Sequence, residues 1–159
     1  MILIDTTGLW GLIFEDSKYH SFMMDNLSGK TIYVLDVQIF ELFRIVYRAF
    51  SKHGKDFKVG LNKLTEVAGF FEDRLYETKS IKIIYMETRH SDYLEAIRIL
   101  RNYPEIFARE GPKHTLWPEI IDAIIATCWR KNRATLYTKD ESLIRFGEKE
   151  KLDYVIIKT

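Results

Sequence analysis

The sequence predicts an α/β protein: a three-layer α/β/α arrangement around a central, mainly parallel sheet of four to five strands. Three observations point there. Short apolar runs edged by turn residues recur at 2–4, 31–35, 81–86, 134–137 and 154–157, as buried strands of a parallel sheet do. Stretches with helical spacing of apolar residues separate these runs. Strands alternating with helices close into a parallel sheet covered on both faces, since each parallel crossover needs a long connection.

The elements follow in order. Ile2-Leu3-Ile4 is a strand, ended by Asp5 and the polar Thr6 and Thr7. Residues 9–14 and 17–27 read as two short helices broken near Glu15-Asp16, and Ser28-Gly29-Lys30 is a turn before the second strand. In 37–50, apolar residues at 39, 42, 43, 46 and 50 mark a helix closed by His53-Gly54. Leu61, Leu64, Val67, Ala68, Phe71 and Leu75 mark another, ending before Ser80. The third strand leads to a helix near 91–101. Pro104 and Gly111-Pro112 bracket an irregular stretch with one short helix, and Pro118 is placed as first residue of an apolar helix reaching Arg130. A fourth strand, a helix over 140–150 and a last strand complete the chain.

Composition narrows the function. With 159 residues, 47% of them hydrophobic, one domain spanning 1–159 can bury a real core. Lys and Arg number 24 against 23 Asp and Glu, so the strong basic excess of a DNA-coating protein is excluded. Cys128 is alone, so there is no internal disulfide and no Cys-x-x-Cys zinc or redox pair. His20, His53, His90 and His114 are scattered, with no zinc or triad spacing. No signal-peptide pattern opens the chain and no apolar run nears the ~20 residues of a membrane span. A soluble, cytoplasmic protein without membrane contact is expected. A single glutamine, Gln38, beside many charges fits a thermophile.

In parallel α/β sheets, sites lie beyond the carboxyl ends of the strands, which directs attention to Asp5, Asp36 and Asp140. Taken singly, the acids have structural readings: Asp5 and Asp140 as helix caps, Glu41 as a solvated partner of Arg44, and Asp122 as a charge at a helix start. Asp122, however, lies between Ile120-Ile121 and Ile124-Ile125, and a buried carboxylate needs pairing or a metal.

Together the acids form an ordered series: Ile-Asp-Thr-Thr at 4–7, Ile-Phe-Glu-Leu at 39–42, Ile-Asp-Ala-Ile-Ile-Ala-Thr at 121–127 and Leu-Tyr-Thr-Lys-Asp at 136–140. In this series the sequence resembles the PIN-domain family, and most of all its VapC-type toxins, from Met1 to about Ile157. It departs in having Gly8 where a larger apolar residue is usual, Thr7 for Ser, and Cys128-Trp129 where small residues are usual.

The resemblance implies a PIN-like fold and a metal-dependent endoribonuclease, the toxin of a VapBC-type toxin–antitoxin pair. Asp5, Glu41, Asp122 and Asp140 would be its catalytic and metal-binding acids, with Glu41 either holding metal-bound water or acting as general base. An oxygen-only donor set suits Mg²⁺ or Mn²⁺. Thr6 and Thr138 are either supporting hydroxyls or simple turn residues. Arg130, Lys131, Arg133 and Lys139 are candidate RNA contacts, or else helix-end and solvated charges. Trp10 and Trp117 are placed beside the site, as stacking residues or as packing. The family further implies a homodimer and a small antitoxin seated in the acidic groove; the apolar residues of 57–77 are either candidate surfaces for these or core packing. The alternative is a catalytically silent PIN-like scaffold that binds RNA or protein. A haloacid-dehalogenase-type phosphatase is disfavoured because position seven is Thr7, and a phosphoacceptor receiver because the third strand ends in Met86-Glu87-Thr88.

Overall fold

The computed structural model of the chain describes residues 1–74 and 81–159. Its five-stranded sheet is parallel throughout: β1 (Ile2–Ile4), β2 (Thr31–Leu35), β3 (Lys82–Met86), β6 (Thr135–Thr138) and β7 (Tyr154–Ile156) stand in the order β3-β2-β1-β6-β7. The chain builds outward from β1 to β3, then returns to add β6 and β7 on the other side of β1. The order therefore reverses between β1 and β6, where Leu3 pairs with Leu136, and such a reversal opens a crevice at the carboxyl ends of the two strands.

Strand alternation sorts the core into two layers. Ile4, Ile32, Val34 and Ile83 point to one face, covered by α1 (Thr6–Ile13), α2 (His20–Leu27), α3 (Asp36–Phe50) and α4 (Phe57–Gly69). Leu3, Leu35 and Leu136 point to the other, covered by α5 (His90–Asn102), α6 (Pro104–Phe107), α7 (Ile120–Asn132) and α8 (Glu141–Glu150). The three-layer α/β/α expectation holds, with five strands. Among the described residues no helix is long and apolar enough to cross a membrane.

Local features explain several departures of the sequence from its resemblance. A Cβ on Gly8 would sit 3.0 Å from the Met23 Cε and 3.2 Å from the Ile4 Cβ, so glycine lets α1 press onto β1 and α2. Trp129 is wholly buried; its indole N–H donates to the Ala134 and Asp153 carbonyls at 2.9 and 3.1 Å. Cys128 is buried beside it, its thiol pushed up to about 11 by burial, as suits a core residue.

Other expectations are corrected. α2 begins at His20, not 17, because Ser17 is spent on a turn: its carbonyl accepts the His20 N–H and its hydroxyl the Tyr19 N–H. The stretch after α6 is not irregular: β4 (Ala108–Glu110) and β5 (Leu116–Pro118) form an antiparallel hairpin around a 3-10 turn at Pro112–His114. Pro118 therefore ends a strand rather than opening a helix, and α7 starts at Ile120. The hairpin strands have three exposed residues each, too short and too polar in surroundings for a period-two signal. α4 passes into a π-helical turn at Phe70–Arg74, and the remainder of the expected helix, including Leu75 and the end of the 57–77 surface, lies outside the described residues.

Candidate functional site

The switch between β1 and β6 opens into a cleft of about 400 Å³. Asp5 forms its floor. It ends β1 with only 3% of its surface exposed, and its backbone N–H donates to the Tyr137 carbonyl at 3.0 Å. Its side chain does two jobs. Oδ1 accepts the Gly8 N–H at 2.6 Å and so caps α1; Oδ2 accepts the Thr138 hydroxyl at 2.6 Å and, more weakly, the Lys139 N–H at 3.4 Å. The cap reading of Asp5 and its place in the cleft are both realised. Burial pushes its carboxyl up to about 6, against the lowering effect of those donors, and the Asp140 charge adds to the rise.

The other acids arrive from both helical layers. Glu41 of α3 lines the cleft and accepts the Thr6 hydroxyl; among the described residues it forms no ion pair with Arg44. Asp140 lies two residues past β6, where its Oδ1 caps α8 through the Leu143 N–H at 3.0 Å. Its own N–H donates to the Thr138 hydroxyl oxygen at 3.0 Å. Thr138 thus ties Asp5 to Asp140, and both Thr6 and Thr138 hydroxyls rest on acids of the cleft. Asp122, in the first turn of α7, accepts no hydrogen bond from the described residues. Burial first, and then the charges of Asp140, Glu119, Glu41 and Asp5, push its carboxyl up to about 8.

Glu119 was not foreseen in the sequence. It precedes α7, lines the cleft, and accepts the Ser142 hydroxyl at 2.8 Å. Its signal in the sequence is its spacing of three residues from Asp122, which places the two acids on neighbouring turns. Five carboxyl groups thus line the cleft, against the two cations Arg109 and Lys139.

Among the described residues no group of three or more His, Cys, Asp or Glu side chains is drawn together so as to hold a metal ion. The donor chemistry nevertheless suits a hard divalent cation. The set is all oxygen, and Asp122, with no donor among the described residues, is acted on by the charges of four other acids. That is costly for a charged carboxylate and is relieved by a cation.

The candidate cations divide. Lys139 lines the cleft, its ammonium 2.5 Å from the Tyr19 hydroxyl, and this contact holds the Tyr19 phenol below its usual range. Arg130, Lys131 and Arg133 do not line it. They stand at the C-terminal end of α7, some eight residues or about 12 Å along the helix from Asp122. There Arg130 pairs with Glu95 and Glu150, Lys131 pairs with Asp92, and Arg133 is the left-handed residue closing the helix. In this position they are charges at the C-terminal end of a helix. Asp36, too, turns away: its carboxylate accepts the Thr88 hydroxyl and N–H and the Val37 N–H. Arg109, from the unforeseen hairpin, is the cation the sequence missed. Of the tryptophans, Trp10 lines the cleft and Trp117 stands on the hairpin.

No protein-family model matches the chain, and no curated protein matches it. Among solved structures, the chain is similar to a chain of the crystal structure of VapBC2 from Rickettsia felis bound to a DNA fragment from their promoter. The TM-score is 0.56 at 15% identity, covering 99% of this chain and all of that one (100%). A domain of a functionally unknown protein from Methanocaldococcus jannaschii DSM 2661 aligns at 16% identity and a TM-score of 0.49, over 99% of this chain and 91% of that one. The first likeness establishes the fold as a PIN-like three-layer sandwich.

Proposed function

We propose that this chain is a divalent-metal-dependent endoribonuclease and the toxin of a VapBC-type pair. One observation carries the reading: acids from β1, α3, α7 and the β6–α8 junction face one cleft at the strand-order switch, and Asp122 among them is raised by burial and by the charges of four neighbouring acids. The PIN-like fold and the ordered acid series support it.

Asp5, Asp122 and Asp140 would hold Mg²⁺ or Mn²⁺, directly or through water. When bound, the ion supplies Lewis acidity and an activated water for phosphodiester hydrolysis. The protein's own part is positioning. The Gly8 N–H and the Thr138 hydroxyl leave Asp5 little rotational freedom, so its free lone pairs keep one direction into the cleft. Thr138, by also accepting the Asp140 N–H, fixes the spacing of two acids. Glu41, oriented by Thr6, either holds a water or takes its proton. Arg109 and Lys139 supply positive charge where a phosphate backbone must approach carboxylates.

The VapBC2 structure motivates an antitoxin partner for this chain. Ile45 lines the cleft, and Phe57, Val59 and Leu61 of α4 are exposed; these offer apolar surface to an antitoxin segment or to a second copy in a homodimer. A catalytically silent PIN-like scaffold that binds RNA or protein is the second reading.

The test is cleavage of structured and single-stranded RNA with Mg²⁺ or Mn²⁺, beside EDTA and Asp5→Asn. Metal-dependent cleavage absent from Asp5→Asn supports the nuclease and its site. Equal cleavage by both proteins sinks the site assignment; metal binding without cleavage across a broad RNA panel moves the reading to the scaffold.

A further inference from the structure

The β4–β5 hairpin stands beside the acidic cleft with all six of its strand residues exposed. It buries no core, so its order comes from the turn. The Gly111 N–H donates to the Thr115 carbonyl at 2.7 Å, the Thr115 hydroxyl to the Pro112 carbonyl at 2.8 Å, and Lys113 and His114 both adopt left-handed backbone.

That turn holds one side chain. The Trp117 indole N–H donates to the Thr115 hydroxyl oxygen at 3.1 Å. The ring lies on Gly111, where a Cβ would come within 2.6 Å of the Trp117 Cδ1 and 2.8 Å of the Thr115 Oγ1. The pyrrole edge is bonded and lies close against Gly111, yet Trp117 remains 62% exposed. An exposed indole adds little to folding, whereas one already fixed in place loses little freedom when a flat ligand stacks on it.

Arg109 is the cross-strand partner of Trp117, and directly opposed residues share a face of an antiparallel pair. Arg109 lines the acidic cleft and forms no ion pair among the described residues. The hairpin face thus runs from a free guanidinium at the cleft to a flat aromatic surface beyond it.

Building on the nuclease reading, we infer that this hairpin is the substrate platform of the cleft. Trp117 stacks on an unpaired base of a single-stranded RNA, while Arg109 binds a backbone phosphate of the same strand beside the acids. An unpaired strand is the occupant that this face suits, because it presents both an open base face and a phosphate within a nucleotide or two. A protein partner on the same face is the competing occupant and is separated by the test.

The experiment measures binding of a labelled single-stranded RNA by fluorescence anisotropy, and its cleavage with Mg²⁺ or Mn²⁺, for the whole chain and for Trp117→Ala, Trp117→Phe and Arg109→Gln. Trp117→Ala is expected to weaken binding, and raise KM, about tenfold or more with kcat unchanged, and Trp117→Phe to restore most of the loss. An oligonucleotide with abasic positions should bind the parent protein as weakly as the intact one binds Trp117→Ala. Arg109→Gln should lower the slope of log affinity against log salt by about 0.7. Unchanged RNA binding in Trp117→Ala, with unchanged thermal stability, overturns the platform whether or not RNA is cut, and leaves the hairpin to a protein partner. Trp117-dependent binding without cleavage upholds the platform and removes the nuclease.

Discussion

Thr138 donates its hydroxyl to Asp5 Oδ2 at 2.6 Å across a sequence separation of 133 residues. The Thr138 hydroxyl oxygen in turn accepts the Asp140 N–H at 3.0 Å. One buried hydroxyl therefore joins the carboxyl ends of β1 and β6 at the point where the strand order reverses. Thr138→Val is expected to leave the Asp140 N–H and one Asp5 oxygen short of a partner and to cost about 1–3 kcal/mol. Thr138→Ser, which keeps the hydroxyl, should recover most of this. Urea unfolding and the metal affinity of both variants check the prediction, and equal loss in Thr138→Ser would mean that the methyl group matters instead.

Asp140 combines a cap with a site acid, and two substitutions separate these roles. Asp140→Asn keeps a side-chain oxygen for the Leu143 N–H, so stability should change by only a few tenths of a kcal/mol, while RNA cleavage falls by two orders of magnitude or more. Asp140→Ala loses the cap as well, at about 1 kcal/mol. Thermal melts beside cleavage rates distinguish the two losses.

Without metal, stability should fall as pH rises. The carboxyls of Asp5 and Asp122 are raised from an ordinary 3.8 to about 6 and about 8. Between pH 4 and 8 the folded protein thus keeps protons that the unfolded chain has released, so the slope of unfolding free energy against pH is negative for this pair. The loss should reach a few kcal/mol by pH 8. In EDTA, Asp122→Asn should flatten the decline, and in the parent protein added Mn²⁺ should raise Tm more at pH 8 than at pH 5. A melt series at pH 5, 6.5 and 8 reads both; a parent Tm that climbs with pH in EDTA would contradict the placement of Asp122 among acids.

Gly147 packs under Trp129: a Cβ there would lie 2.2 Å from the Trp129 Cη2. The indole cannot easily retreat, being buried and bonded to two carbonyls. Gly147→Ala should therefore destabilise by about 1–3 kcal/mol, despite alanine's better helix propensity. A Tm at or above that of the parent would show that α8 has room to shift.

The sequence by itself determined the features that neighbouring residues encode. Alternating strands and helices gave the fold class, because burial imposes period two on a strand and 3.6 on a helix. The four acids were legible because each carries its own local frame: a strand end before Asp5 and Asp140, an apolar helix around Glu41 and Asp122. Only the tertiary structure decided what those frames meet. The switch between β1 and β6 follows from strand order, which no local period specifies. Gln38 donates to the Ile4 carbonyl at 2.5 Å and accepts the Leu35 N–H at 2.8 Å, stitching β1 to the start of α3, yet in the sequence it is only a lone glutamine. The cations near Asp122 in the sequence lie at the far end of its helix, since eight residues of α-helix carry them about 12 Å away. Arg109 reaches the cleft from a hairpin whose three-residue strands are too short and too exposed to leave a pattern. Residues distant in sequence become neighbours through long-range pairing, and that pairing carries no local periodicity.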